Sequence, residues 1–128
     1  MTNQNHIVCL YIKGAFKSVA GGQLMFVEQR TYDLAIGTQE QWLENYEKYG
    51  LEPQTEILGR LVGYFHTDFA ELNQVVHMWA YESLEDRSAR RKKLFEDPRW
   101  LEFLPRVRPL ILKQESKMLI PANFSPIR

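Results

Sequence analysis

Asn73-Gln74-Val75-Val76-His77-Met78-Trp79-Ala80-Tyr81-Glu82 is rich in β-branched and aromatic residues and lacks glycine and proline, so it reads as a strand. Successive strand side chains point to opposite faces, which sets Val75, His77, Trp79 and Tyr81 against Val76, Met78 and Ala80. Arg60 to Thr67 alternates in the same way one short polar connection upstream, so the two segments predict a hairpin. In the first of them Val62, Tyr64 and His66 oppose Leu61, Gly63 and Phe65. Pairing around the loop from Asp68 to Asn73 would put Tyr64 opposite His77, with His66 diagonal to it, and a slip of one pairing step would place the two histidines directly opposite.

Upstream, Phe26 to Leu34 reads as a strand with Glu28, Arg30 and Tyr32 on one face and Val27, Gln29 and Thr31 on the other. Thr38 and Gln41 have the spacing of a capping box, which predicts a helix over about 39–49 ended by Gly50. Trp42, Leu43, Tyr46 and Tyr49 share one side of it. Downstream, Ser83 with Asp86 opens a helix over Leu84 to Phe95. Asp97 and Pro98 open a shorter helix holding Trp100, Phe103 and Leu104, which Pro105 should end or bend. Lys113 to Ile120 forms a last strand, and Pro121 to Arg128 an extended arm. With right-handed crossovers this order gives an α+β, ferredoxin-like βαββαβ domain, its antiparallel sheet carrying strands one and three at the centre. Residues 1–24 fall outside the scheme and read as an added edge strand, Ile7 to Ile12, or a non-native extension with a glycine-containing linker. The functional domain is expected over 25–128.

Sixteen basic and sixteen acidic residues among 128 balance to zero net charge, so the overall field favours neither nucleic acid nor an anionic membrane. The Ile7 to Ile12 run is far shorter than the ~20 residues of a membrane span. A single cysteine, Cys9, points to a reducing, cytoplasmic setting. Glycine-rich phosphate loops, dinucleotide fingerprints and nucleophile elbows are absent from the sequence.

The strands gather Tyr64, His66, His77, Trp79 and Tyr81 on one face, with Glu28, Arg30 and Tyr32 beside them. Left in water this face is a large aromatic patch; buried dry, it strands its polar groups. A second copy of the sheet closing over a partly wet cavity resolves both, and predicts a homodimer. Aromatic walls with a few converging polar groups also compose a small-molecule pocket. His77 is the expected acid or base, because imidazole titrates near neutral pH, and Tyr64 would orient or relay its proton. Arg30, Tyr32, His66, Trp79, Glu28 and Tyr81 are expected to bind substrate. No cofactor and no metal site is expected, since only His6 joins His66 and His77 and the usual ligand spacings are missing. Haem needs one axial histidine and an apolar chamber, which leaves room for it, though no attachment motif occurs. Arg87, Arg90, Arg91, Lys92 and Lys93 lie among acidic residues at helical spacing and read as a solvated, salt-bridged helix face.

Phe26-Val-Glu-Gln-Arg-Thr-Tyr-Asp-Leu, Ile57-Leu-Gly-Arg-Leu-Val-Gly-Tyr-Phe and the stretch from Leu72 to Arg87 resemble the NIPSNAP family, chiefly through Asn73 to Trp79. Asp97-Pro-Arg-Trp, Val107-Arg-Pro-Leu and Gln114-Glu-Ser extend the likeness. The resemblance implies a dimeric α+β barrel in which two ferredoxin-like sheets pack face to face. It implies no single reaction, because that barrel hosts cofactor-independent monooxygenases, isomerases and haem-degrading enzymes. Two readings follow. In the first, the interior binds a small aromatic or apolar molecule for cofactor-independent oxygenation or isomerisation. In the second, a noncatalytic interaction or scaffold protein acts through its helix surfaces; its interior polar groups should then be fully paired, with no useful cavity.

Overall fold

A computed structural model describes residues 25–128. The expected extension over 1–24, with Cys9 and His6, lies outside the described residues. The elements are β1 (Phe26–Leu34), α1 (Gln39–Asn45), a π-helical turn (Tyr46–Gly50), α2 (Leu51–Leu58), β2 (Leu61–His66), β3 (Gln74–Tyr81), α3 (Leu84–Leu94), α4 (Pro98–Val107), a 3-10 turn (Arg108–Leu110) and β4 (Ile111–Leu119). The strands form one antiparallel sheet in the order β2-β3-β1-β4. This is the ferredoxin-like arrangement, with the first and third strands central. Among the described residues no helix is long and apolar enough to cross a membrane.

The alternation expected along β1 and β3 holds, but the histidine-bearing face, expected against a second copy of the sheet, packs against the chain's own helices. Val75, His77, Trp79 and Tyr81 are each no more than 2% exposed, and they lie beneath the chain's own helices. Parity sorts side chains into two sets without saying which set the helices will cover. Here α1, the π turn and α4 bring Trp42, Tyr46, Trp100 and Phe103, whose rings reach the broad side chains of β2 and β3. The smaller set, Val27, Met78 and Ala80, faces the other way and packs with Met25, Val62 and Ile127 of the C-terminal arm. A second copy is therefore not the cover of the histidine-bearing face.

A β-bulge explains a local exception. Leu61 pairs with Trp79 and Gly63 with Met78, so Val62 is the extra residue. Leu61 consequently joins the helix-side core and Val62 the opposite face, a swap of the two expected positions. Beyond the bulge Tyr64 pairs with His77 and His66 with Val75, the first of the two registers the hairpin allows.

The first helical segment runs on past Gly50, which has φ −103° and is the last residue of the π turn, leading directly into α2. The left-handed terminus is Gly59, at φ +83°. Gly50 is small for a packing reason: a Cβ there would stand 2.9 Å from Tyr46 Cδ2 and 3.0 Å from Phe103 Cζ. The capping box also does not form; the Thr38 hydroxyl donates instead to the Ala35 carbonyl at 2.6 Å. Ser83 and Asp97 do cap, accepting from the amides of Asp86 and Arg99. Helix α4 continues through Pro105, whose missing bond would fall on the carbonyl of Leu101, a residue 50% exposed and so open to water.

Gly50→Val should lower stability by about 2 kcal/mol or more, because overpacking against two aromatic rings outweighs the helix propensity gained. Urea denaturation followed by circular dichroism measures it, and an unchanged midpoint would show that the rings yield freely.

Candidate functional site

A cavity of about 120 Å³ lies between the helix-facing side of the sheet and the helices. Tyr32, Tyr64 and His77 form its sheet wall, Trp42, Tyr46, Trp100 and Phe103 its helix wall, and Arg30, Arg91, Arg108 and Gln114 also line it. Its size is close to that of a ~150 Å³ apolar cavity known to accept benzene.

His77 is held by its neighbours on three sides. The indole Nε1–H of Trp79 donates to His77 Nδ1 at 2.7 Å. The Tyr64 ring stacks on the imidazole with centroids 4.8 Å apart, and Tyr32 meets it edge-on at 5.2 Å. A neutral imidazole whose Nδ1 accepts a hydrogen bond carries its proton on Nε2. That Nε2 is buried and has no partner among the described residues. Burial first, and then the positive charge of Arg30, lower the His77 pKa from its ordinary 6.5 to about 3. His77 is thus a fixed neutral donor across ordinary pH, not the group titrating near neutrality that its residue type suggests.

Tyr64 does not hydrogen-bond His77. Its hydroxyl accepts from Trp42 Nε1 at 2.9 Å while its ring lies between Tyr46 and His77. Burial pushes its pKa up, keeping the phenol protonated and able to donate. Tyr46 donates to the buried Gln54 Oε1 at 2.6 Å, which anchors the far side of the stack.

Glu28 is not a free ligand-binding carboxylate. Arg87 Nη2 reaches its Oε2 at 2.8 Å, Arg30 Nη1 at 3.2 Å and the Ser116 hydroxyl at 2.6 Å. Burial alone would raise its pKa, but the Arg87 and Ser116 hydrogen bonds and the charges of Arg30 and Arg87 bring it down to about 2. Arg30, so oriented, also donates through Nε to the Tyr32 hydroxyl at 2.7 Å.

The remaining expected residues divide. Trp79 touches His77 but does not line the cavity, so it positions the imidazole. Tyr81 is buried against Phe26 with its hydroxyl unpaired among the described residues, and burial raises its pKa to about 12. His66 is exposed at the end of β2, away from the cavity. Nor is the basic run on α3 a uniform solvated face. Arg87 turns in to Glu28, Arg90 holds Asp86 at 2.7 Å and the Ile57 carbonyl at 3.1 Å, and Arg91 lines the cavity. Sequence reasoning placed Trp42, Tyr46, Trp100 and Phe103 on helix faces without making them cavity walls, and missed Arg91 as a lining residue. The available signal was the i,i+4 repeat of Arg87 and Arg91, like charges without an acid between them on that line of the helix. Among the described residues no cluster of three His, Cys, Asp or Glu side chains is placed to hold a metal ion.

The NIPSNAP family model matches residues 27–126. A crystal structure of a nipsnap family protein from Agrobacterium tumefaciens superposes with a TM-score of 0.81 at 47% identity, covering 84% of this chain and 96% of that one. A NIPSNAP-like domain protein from Burkholderia xenovorans gives 0.78 at 44% identity, covering 81% of this chain and 90% of that one. Human NipSnap homolog 3B is 41% identical over 69 residues, which are 54% of this chain and 28% of that protein. The Dictyostelium discoideum NipSnap homolog is 34% identical over 97 residues, 76% of this chain and 43% of that protein. The chain therefore spans less than half the length of these curated relatives. At the level of fold alone, a Nitrosomonas europaea protein assigned to the antibiotic biosynthesis monooxygenases superposes at a TM-score of 0.59 with 12% identity.

Between pH 6.5 and 3 the unfolded chain binds a proton at His77 that the folded chain refuses, so this group's contribution to stability is complete above pH 6.5 and is lost as pH falls. Denaturant midpoints measured from pH 6.5 to 5, above the 4.5 midpoint of Glu28 in the unfolded chain, should fall with pH, and His77→Gln should flatten that slope. A wild-type slope equal to that of the variant would show that His77 is protonated at no cost.

Proposed function

The chain belongs to the NIPSNAP family, and we propose that it binds a small organic molecule in the cavity between sheet and helices, holding a carbonyl or enolate oxygen on His77 Nε2–H. The observation that carries this reading is the His77 nitrogen itself. It is buried, it bears a proton because Trp79 occupies the other nitrogen, and it belongs to a residue that lines the cavity. A buried donor without a partner costs about 1–3 kcal/mol, a cost that a ligand oxygen would remove.

The Tyr64 hydroxyl, already accepting from Trp42, has its own proton to offer a second lone pair of the ligand. Donors fixed in a dry site stabilise an oxyanion as it develops, without reorganising at the moment of reaction. Isomerisation of an enolisable compound and its cofactor-independent oxygenation both pass through an enolate, so the same two donors serve either. His77 takes the role of a neutral electrophile, polarising the oxygen, rather than that of a base. The cavity lining contains no Asp or Glu among the described residues, so the ligand arrives already as its enolate or phenolate, its proton having gone to solvent. A purely structural interior, the other reading, calls for paired polar groups and no cavity; the unpaired His77 Nε2 and the space beside it favour a ligand.

The proposed homodimer is relocated to the opposite sheet face. There the arm residue Ile127 covers one end, around Met25, Val27 and Val62, while Phe65 further along remains 54% exposed beside Val76. A dimeric ferredoxin-like protein from an uncultured marine organism has the same fold at a TM-score of 0.60 and 9% identity, which supports a paired state for such a sheet.

For a small cyclic ketone or phenol that binds the wild type, His77→Ala should weaken affinity at least tenfold, while His77→Gln, which retains a donor, should lose less. Calorimetric titration measures this, and equal affinities in all three proteins would remove His77 from the site. Light scattering should give twice the 15.1 kDa chain mass, and Phe65→Glu should give single chains. A wild type that is monomeric at high concentration would refute the pairing.

A further inference from the structure

The charges around the cavity are unequal in a way that specifies its ligand. Three arginines line it, Arg30, Arg91 and Arg108, and no lining residue is an Asp or Glu. Glu28, the nearest acid on the central strands, already serves both Arg30 and Arg87. Arg91 is half-buried, and among the described residues its guanidinium meets only the Phe95 ring, 5.5 Å from the centroid. Arg108 has no acid partner among the described residues either, whereas Arg60, Arg87, Arg90, Arg99 and Arg106 all do. Burial, with the repulsion of Arg30 and Arg87, lowers the Arg91 pKa, so its charge is held at a cost.

Position adds to charge. Arg91 and Phe95 line the cavity and also an open groove along α3, whose other lining residues are Arg87, Ser88, Lys92 and Glu96. They therefore stand where the inner space meets the surface. The inner end is aromatic and carries the unpaired, fully buried His77 Nε2. The enclosed volume, about 120 Å³, holds a single ring or a short branched chain.

We infer that the ligand of this cavity is a small organic carboxylate of about one ring in size, its anion seated on Arg91 with Arg30 and Arg108 and its apolar body against Tyr64 and His77. The inference rests on the cavity reading of the preceding subsection and names the substrate class. Guanidinium suits the task because its planar fork pairs with a carboxylate through two parallel hydrogen bonds. The anion also offsets the positive charge that the three arginines leave uncompensated. Carboxylate at one end and an enolisable or phenolic oxygen on His77 at the other would orient the ligand in one sense only.

Benzoate and its neutral counterpart benzamide, titrated into the full chain by calorimetry, provide the test. Benzoate should bind at least tenfold more tightly than benzamide, with an affinity that falls as salt is raised. Arg91→Gln should reduce benzoate binding roughly tenfold, leave benzamide unchanged, and be partly rescued by Arg91→Lys, which keeps the charge without the fork. Matching melting curves for the three proteins would establish that folding is not the cause. If benzamide binds as well as benzoate and Arg91→Gln alters neither, the anion seat is overturned while the cavity reading stands. Binding of neither probe would overturn both. Displacement of benzoate by inorganic phosphate at equal or lower concentration would overturn the choice of a carboxylate.

Discussion

A carboxylate that cannot reach water organises one side of this domain. Glu28 sits on a central strand, 3% exposed, and is neutralised by Arg87 from helix α3, Arg30 from its own strand and the Ser116 hydroxyl from β4. Taking such a charge out of water is expensive, and removing one partner of a buried pair typically costs about 3–5 kcal/mol. The constraint therefore ties a helix, a central strand and an edge strand in one geometry. It also decides what Arg30 can do: with one nitrogen on Glu28 and another on the Tyr32 hydroxyl, its side chain is aimed along the sheet into the cavity rather than out to solvent.

From that fixed edge an aromatic stack crosses the interior. Tyr46, Tyr64 and His77 lie nearly parallel, with ring centroids 4.4 and 4.8 Å apart, and Tyr32, Trp42 and Phe103 meet them edge-on or meet one another so. Flat faces stacked and edges inserted fill space efficiently, but rings cannot bend to close every gap. The gap left between the stack and α4 is the cavity. Two indole N–H groups are spent on orientation, Trp42 on Tyr64 and Trp79 on His77, and each leaves its partner's proton free for something else. The Tyr64 phenol and the His77 imidazole are thus each held in place by an indole of the same interior.

Much of this was legible in one dimension. Alternation over Gln74–Tyr81 and Phe26–Leu34 was correct, and so were the hairpin, the Tyr64 to His77 pairing and the sheet centred on the first and third strands. The eight residues chosen from that face include four cavity liners: Arg30, Tyr32, Tyr64 and His77. Trp79, Glu28 and Tyr81 hold or adjoin them, and only His66 stands apart. What misled was the assumption that a polar, aromatic face needs a foreign cover. The helices carry enough aromatic surface to cover it, and Glu28, Arg30 and Tyr32 find partners within the face or from α3 and β4, while His77 Nε2 and the Tyr81 hydroxyl have none among the described residues. Gly50 misled for a related reason: its lack of a side chain serves the approach of Phe103 from a helix some fifty residues away, not the end of its own helix.

By itself the sequence determined the period of each strand, the order of the elements and the membership of the two faces, because these follow from local geometry and right-handed connections. Tertiary structure alone decided which face the helices would take, since that depends on how the rings of Trp42, Tyr46, Trp100 and Phe103 fit against β2 and β3. It also decided that His77 stays neutral with its proton on Nε2. An imidazole's charge and tautomer are set by burial and by the donor that reaches it, here the indole of Trp79, and neither can be read from the residue's own letter.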